Sequence, residues 1–227
     1  MSALRDLVRE RLRAEADPAK APAMQAYMKS AMPYLGIPAT PLRAICKECF
    51  ADLQWDDDEQ WQSEVRALWH GAEHREERYA AIALAKHRSS RPFHTLAALP
   101  LYREMIETGA WWDMVDSIAP DLVFELLQAE PEAMGLVLRD WARDDDTWVR
   151  RAAIIAQLSA KQDTDLALLY DCFEPSIASK QFFLRKAIGW ALRQYARTDP
   201  TEVARYVAAN ADRLSGLSKR EALKHIG

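Results

Sequence analysis

The sequence predicts an all-α protein, a curved α-solenoid built from two-helix repeats in a single domain spanning residues 1–227. Three observations predict it. Gly is scarce, at 7 of 227 residues, and Ala, Leu, Arg and Glu dominate, a composition of strong helix formers. Runs rich in β-branched residues are absent. And from residue 77 onward one helical pattern recurs at a period in the thirties, the mark of stacked helix pairs.

In chain order, the first helix is expected near 2–15 and the second near 20–32, ending where Gly36 and Pro38 stop a helix. Thr40-Pro41 reads as an N-cap followed by proline at the first helical position, opening a helix to about Leu53. The acidic run Asp56-Asp57-Asp58-Glu59 suits the positive end of the next helix, which runs to about His70-Gly71. Further helices are expected at 92–108, 112–128, 131–143, 147–161, 164–173, 180–197, 200–213 and 218–226, punctuated by Pro131, Pro175 and Pro200.

The repeat is visible in three segments: Glu77-Arg78-Tyr79-Ala80-Ala81-Ile82, Val149-Arg150-Arg151-Ala152-Ala153-Ile154 and Leu184-Arg185-Lys186-Ala187-Ile188-Gly189. With Arg78, Asp116, Arg151 and Lys186 in register, the spacings are 38, 35 and 35 residues. The stretch Asp144-Asp145-Asp146-Thr147-Trp148-Val149-Arg150-Arg151 resembles a HEAT repeat, with an acidic turn before a helix that opens on Val-Arg. In such a stack one helix per unit lines the concave side, and equivalent positions form a row along it. Asp116, Arg151 and Lys186 are expected to form that row. Trp112 lies one turn before Asp116 and Trp190 one turn after Lys186.

Several classes of function find no support in the sequence. No apolar stretch reaches the roughly 18–20 residues of a membrane span, and the charged N-terminus lacks the apolar core of a signal peptide. A cytoplasmic protein is expected. Three cysteines are an odd number for a disulfide framework. Cys46 and Cys49 form a C-x-x-C inside a predicted helix with no second pair and no matching histidines, so they are read as small core residues and no metal site is expected. There is no Gly-rich phosphate loop, no G-x-S-x-G and no H-E-x-x-H. Net charge is −4, but residues 147–227 hold 13 Lys+Arg against 8 Asp+Glu, so the C-terminal third is basic on an acidic protein.

A groove with cations, two tryptophans and one carboxylate suggests a particular chemistry. Cations suit phosphates, and indole faces suit sugars, bases or cations. A carboxylate among them repels phosphate unless it has a task. Stabilising an oxocarbenium-like sugar while an N-glycosidic bond breaks is such a task. A base made cationic by alkylation leaves neutral, so no general acid is needed and one carboxylate suffices. The plainer reading of each residue remains open at this point: core tryptophans, a solvated Asp116 and an inter-repeat ion pair at Arg151.

Trp111-Trp112-Asp113-Met114-Val115-Asp116 together with Ala187-Ile188-Gly189-Trp190-Ala191-Leu192-Arg193 resembles the AlkD family of HEAT-like-repeat DNA alkylation-repair glycosylases. The likeness runs from Ala26-Tyr27-Met28-Lys29 to Leu214-Ser215-Gly216-Leu217-Ser218-Lys219-Arg220-Glu221-Ala222-Leu223-Lys224-His225. It implies excision of cationic N3- and N7-alkylated purines from duplex DNA, with a concave DNA-binding groove, no cofactor and no metal. It implies Trp112 and Trp190 against the lesion's deoxyribose, Asp116 as catalytic carboxylate, and Arg151 beside it holding backbone phosphate. Lys186, Arg193 and Arg150 follow as DNA contacts, with Tyr27 and Thr40 approaching from the N-terminal end. Tyr27 reads equally as a buried packing residue. One departure stands out: where the family carries Gln-Thr-Pro after Gly-Ile, this chain has Pro38-Ala39-Thr40-Pro41 after Gly36-Ile37. Two further readings remain. One is a non-catalytic HEAT-like module that binds damaged or branched DNA; the other is a protein-binding solenoid. A solenoid with polar end helices is expected to be monomeric.

Overall fold

The structure is a computed structural model that describes residues 2–226. It is all-helical, with no strand among the described residues, and divides into two compact units, Met1–Leu101 and Tyr102–Gly227.

The first unit holds α1 (Ala3–Ala14), α2 (Ala21–Met28), α3 (Ala39–Cys49), α4 (Asp58–His70) and α5 (Arg75–Ala85), followed by 3₁₀ turns at Arg88–Phe93 and Leu96–Ala98. The Ser2 side chain accepts from the Arg5 N–H and caps α1; Asp57 does the same for α4 through Gln60. α1 packs on α3, α4 and α5, around Val8, Leu12, Trp61, Val65 and Trp69, all buried. The short α2 stops at Lys29, which takes a left-handed conformation at φ 50°. The following segment is held by Glu76, a buried carboxylate on α5. Its oxygens accept from the backbone N–H groups of Leu35, Gly36 and Ile37 at 3.0, 2.9 and 3.1 Å. Gly36 sits at φ +86°, and a Cβ there would lie 2.1 Å from the Asp17 carbonyl oxygen, so this position needs glycine. Thr40 is not the cap of α3. That place belongs to Pro38, with no side-chain hydrogen bond, and the exposed Thr40 hydroxyl accepts from Arg43.

α6 (Leu99–Gly109) is shorter than expected, because residues 88–98 form the two 3₁₀ turns, with Pro92 inside the first. In the second unit come α7 (Trp112–Ile118), a π-helical turn at Ala119–Val123 and α8 (Phe124–Ala129). The expected single helix over 112–128 is thus interrupted by one wide turn. Pro120 explains it: proline has no N–H to give the carbonyl four residues earlier, and the Phe124 N–H reaches back five residues to Ala119. Then follow α9 (Pro131–Trp141), α10 (Thr147–Ile155), α11 (Leu166–Phe173), α12 (Phe182–Tyr195), α13 (Pro200–Ala209) and α14 (Gly216–Ala222). Asp146 caps α10, Asp165 caps α11, Asp199 caps α13 and Ser215 caps α14. α10 ends earlier than expected, where Gln157 turns its amide onto the Asp165 backbone.

The packing order is that of an α-solenoid. α7 packs on α10, α10 on α12 and α12 on α14, while α9, α11 and α13 lie against this series from behind. Each helix of the first series starts about 35 residues after its predecessor, as the sequence register requires. No helix of the described residues is long and apolar enough to cross a membrane.

Candidate active site

α7, α10 and α12 bring six of the expected residues to one place. An open cleft of about 290 Å³ is lined by Trp112, Asp116, Arg151, Lys186, Trp190 and Arg193, together with Phe182 and Phe183. Trp112 opens α7 directly after Trp111, whose extended backbone (φ −153°, ψ 151°) ends the preceding turn. Asp116 follows one turn later on the same face.

Arg151 meets Asp116 side-on. Its Nε donates to Oδ1 and its Nη2 to Oδ2, both at 2.8 Å, and its Nη1 donates to the Phe183 carbonyl oxygen at 2.7 Å. One guanidinium therefore ties α7, α10 and α12 together. The Arg151 side chain is 4% exposed and that of Asp116 15%. Asp116 is thus largely buried and ion-paired, yet its carboxylate borders the cleft, and each oxygen keeps lone-pair capacity beyond the one bond it accepts. Burial raises its pKa above the ordinary 3.8, and the hydrogen bonds from Arg151 oppose that rise without cancelling it.

At the other side of Trp190 sits a second charge cluster. Lys186 Nζ and Arg193 Nη1 donate to the two oxygens of Glu221 on α14, at 2.6 and 2.5 Å. The pair with Lys186 leads the effects that hold the Glu221 carboxyl below its ordinary pKa. Asp116–Arg151 and Lys186–Glu221 are each 35 residues apart, so Glu221 is the next member of the same row. Sequence reading missed it, although one more step of the period lands on it. Gly189 allows this approach: a Cβ there would lie 2.6 Å from the Glu221 Cβ and 2.9 Å from the Ser218 carbonyl oxygen.

An aromatic wall completes the cleft. Phe183 packs tilted against Trp148 and edge-on to Trp111 with ring centroids 4.9 and 5.3 Å away, and Phe182 lies 5.3 Å from Phe183 and is 54% exposed. Neither phenylalanine was expected from the sequence. Trp111 and Trp148 are half-buried in this cluster, while Trp61, Trp69 and Trp141 are buried in the packing. Arg150 is half-buried, with its Nε enclosed and without a hydrogen-bond partner. It does not line the cleft wall formed by Arg151. Tyr27 and Thr40 belong to the first unit; Tyr27 is 77% exposed, which removes the packing alternative, and Thr40 is exposed.

The Cys46 thiol is buried and its pKa is pushed up to about 12, the state of a core residue. Glu73, His74 and Glu77 place their ligand atoms within 4.8 Å of one another. Arg9 and Arg13 already pair with those carboxylates.

The family described as "DNA alkylation repair enzyme" matches residues 8–226. A solved structure described as "Predicted DNA alkylation repair enzyme from Enterococcus faecalis" is similar at 28% identity and a TM-score of 0.84, covering 93% of this chain and 97% of that one. No curated protein matches. With the match extending over almost the whole sequence, the chain belongs to the DNA alkylation repair enzyme family.

Proposed function

We propose that this protein is a DNA glycosylase that removes cationic N3- and N7-alkylated purines from duplex DNA. The observation that carries this reading is the cleft in which Trp112 and Trp190 accompany one carboxylate, Asp116, held by Arg151. The family's description supports alkylated DNA as the substrate.

In this reading the lesion's sugar enters the cleft between the two indoles. The C1′–N9 bond breaks with its electron pair moving to the purine, which cancels the positive charge that alkylation placed there. The base leaves neutral. Positive charge develops on the sugar, where the indole faces and the Asp116 carboxylate oppose it in a partly dry site. Water then bonds to C1′, and its proton passes through the Asp116 carboxylate to solvent. In place of the backbone-phosphate contact that the resemblance implies for it, Arg151, nearly buried with its donors on Asp116 and the Phe183 carbonyl oxygen, is assigned a role through Asp116. Its bidentate contact fixes the carboxylate's plane, and its third bond, to Phe183, fixes the guanidinium. Lys186, Arg193 and Arg150 are assigned to backbone phosphates, and Tyr27 and Thr40 to DNA contacts of the first unit. The open cleft suits a nucleotide read through its sugar and backbone.

A second reading has one observation in its favour. The Asp116–Arg151 pair, nearly buried and doubly hydrogen-bonded, is also what an inter-repeat lock in a non-catalytic DNA-binding module looks like. Incubating purified protein with methylated duplex DNA separates the two. The glycosylase releases 7-methylguanine or 3-methyladenine and leaves abasic sites. Tight, salt-sensitive binding without base release would favour the module.

A further inference from the structure

We infer that Glu221 is a positioning residue, a buttress that holds Lys186 and Arg193 as a two-cation clamp for one stretch of DNA backbone phosphate. The inference rests on the reading of the cleft as a DNA site and adds a residue to it.

Three observations carry it. First, each Glu221 oxygen takes one cation, Lys186 on Oε1 and Arg193 on Oε2, so one carboxylate holds both charges. Second, the carboxylate lies beneath its partners: its side chain is 15% exposed, against 38% for Lys186 and 22% for Arg193. An acid covered by two cations presents a net positive face outward, with further N–H donors on both groups. Third, its backbone is fixed. Glu221 Cβ packs at the Gly189 position of α12, so it does not swing away as a displaceable gate would. Lys186 and Arg193 lie on either side of Trp190 along α12, and all three line the cleft. A clamp there would seat the backbone next to the indole.

Simple charge counting predicts the opposite behaviour from a buttress, which makes the test sharp. Removing a negative charge beside DNA should tighten binding. Binding of an undamaged duplex is measured by fluorescence anisotropy across a NaCl series for the wild type, Glu221→Gln, Glu221→Asp, Lys186→Gln with Arg193→Gln, and that pair with Glu221→Gln. Thermal denaturation checks that each is folded. The buttress predicts that Glu221→Gln weakens binding by about tenfold, with the log–log salt slope reduced by about one phosphate contact. Glu221→Asp, which keeps the charge but is too short to reach both cations, should weaken binding as well. In the Lys186→Gln, Arg193→Gln background Glu221→Gln should add nothing. Tighter binding by Glu221→Gln with an unchanged slope, or no duplex binding by the wild type at low salt, would overturn it. Base release, measured on the same proteins, keeps the two claims apart. Binding that follows this pattern without release overturns only the glycosylase reading. Release by the wild type with tighter binding by Glu221→Gln overturns only the buttress.

Discussion

Arg151 grips Asp116 through two parallel hydrogen bonds of 2.8 Å, across 35 residues of sequence and between two helices of successive repeats. The pair is at once the best-defined lock between repeats and the centre of the proposed chemistry. Its two roles make separable predictions.

The first concerns stability. Removing one partner of a buried pair leaves the other charge uncompensated, at a cost of about 3–5 kcal/mol. Arg151→Ala should lower unfolding free energy by about that amount in urea denaturation. Arg151→Lys cannot reproduce the fork and should fall between the two. A loss below about 1 kcal/mol for Arg151→Ala would mean the pair is not structural.

The second concerns pH. Burial favours the neutral form of Asp116, so its folded pKa lies above 3.8. For such a group the stabilising contribution is present below the unfolded pKa and is lost as pH rises through the folded one. Catalysis needs the ionised form, so release should rise with pH through a value above 3.8. Glu221 is shifted the other way, below 4.5, chiefly by Lys186. Its contribution to stability is present above its unfolded pKa and lost as pH falls through the folded one. As pH is lowered, base release should therefore fail before duplex binding does, in parallel assays over one pH series.

The third concerns Gly189. Alanine there would push into Glu221 Cβ and the Ser218 backbone. Because the obstruction includes backbone, relief requires α14 to move off α12. Gly189→Ala should cost about 1–3 kcal/mol and should weaken duplex binding through loss of the Lys186–Glu221–Arg193 arrangement. Urea denaturation with anisotropy binding checks both.

The fourth lies in the first unit. Glu76→Gln replaces a carboxylate that accepts three backbone N–H groups with an amide that turns donors toward at least one of them. The loss should be about 1–3 kcal/mol, with faster hydrogen exchange at Leu35, Gly36 and Ile37. Unchanged exchange there would show that Glu76 does not hold the segment.

Much of this architecture is legible in the sequence because a solenoid repeats locally. The 35-residue register that aligns Asp116, Arg151 and Lys186 requires only period counting, and their packing follows from helices stacked in chain order. Glu221 escaped because its segment, Ser218-Lys219-Arg220-Glu221, sets an acid at the register position where Arg78, Arg151 and Lys186 of the recurring segments carry a cation. The π turn after Asp116 was hidden for a different reason: Pro120 can bend, stop or widen a helix, and periodicity does not choose among these. Glu76 was out of reach because its partners lie 39 to 41 residues away and share no pattern with it. Thr40 shows the reverse error, a good local capping signal overruled when Glu76 fixed the backbone just before α3.

Single-turnover release of 7-methylguanine from a methylated duplex by wild type and Asp116→Asn, with duplex affinity measured alongside, reads the role of the carboxylate itself. A catalytic Asp116 gives release by the wild type and a fall of at least about 100-fold in the variant, with affinity kept within a few-fold. Equal release rates for the two proteins would contradict it.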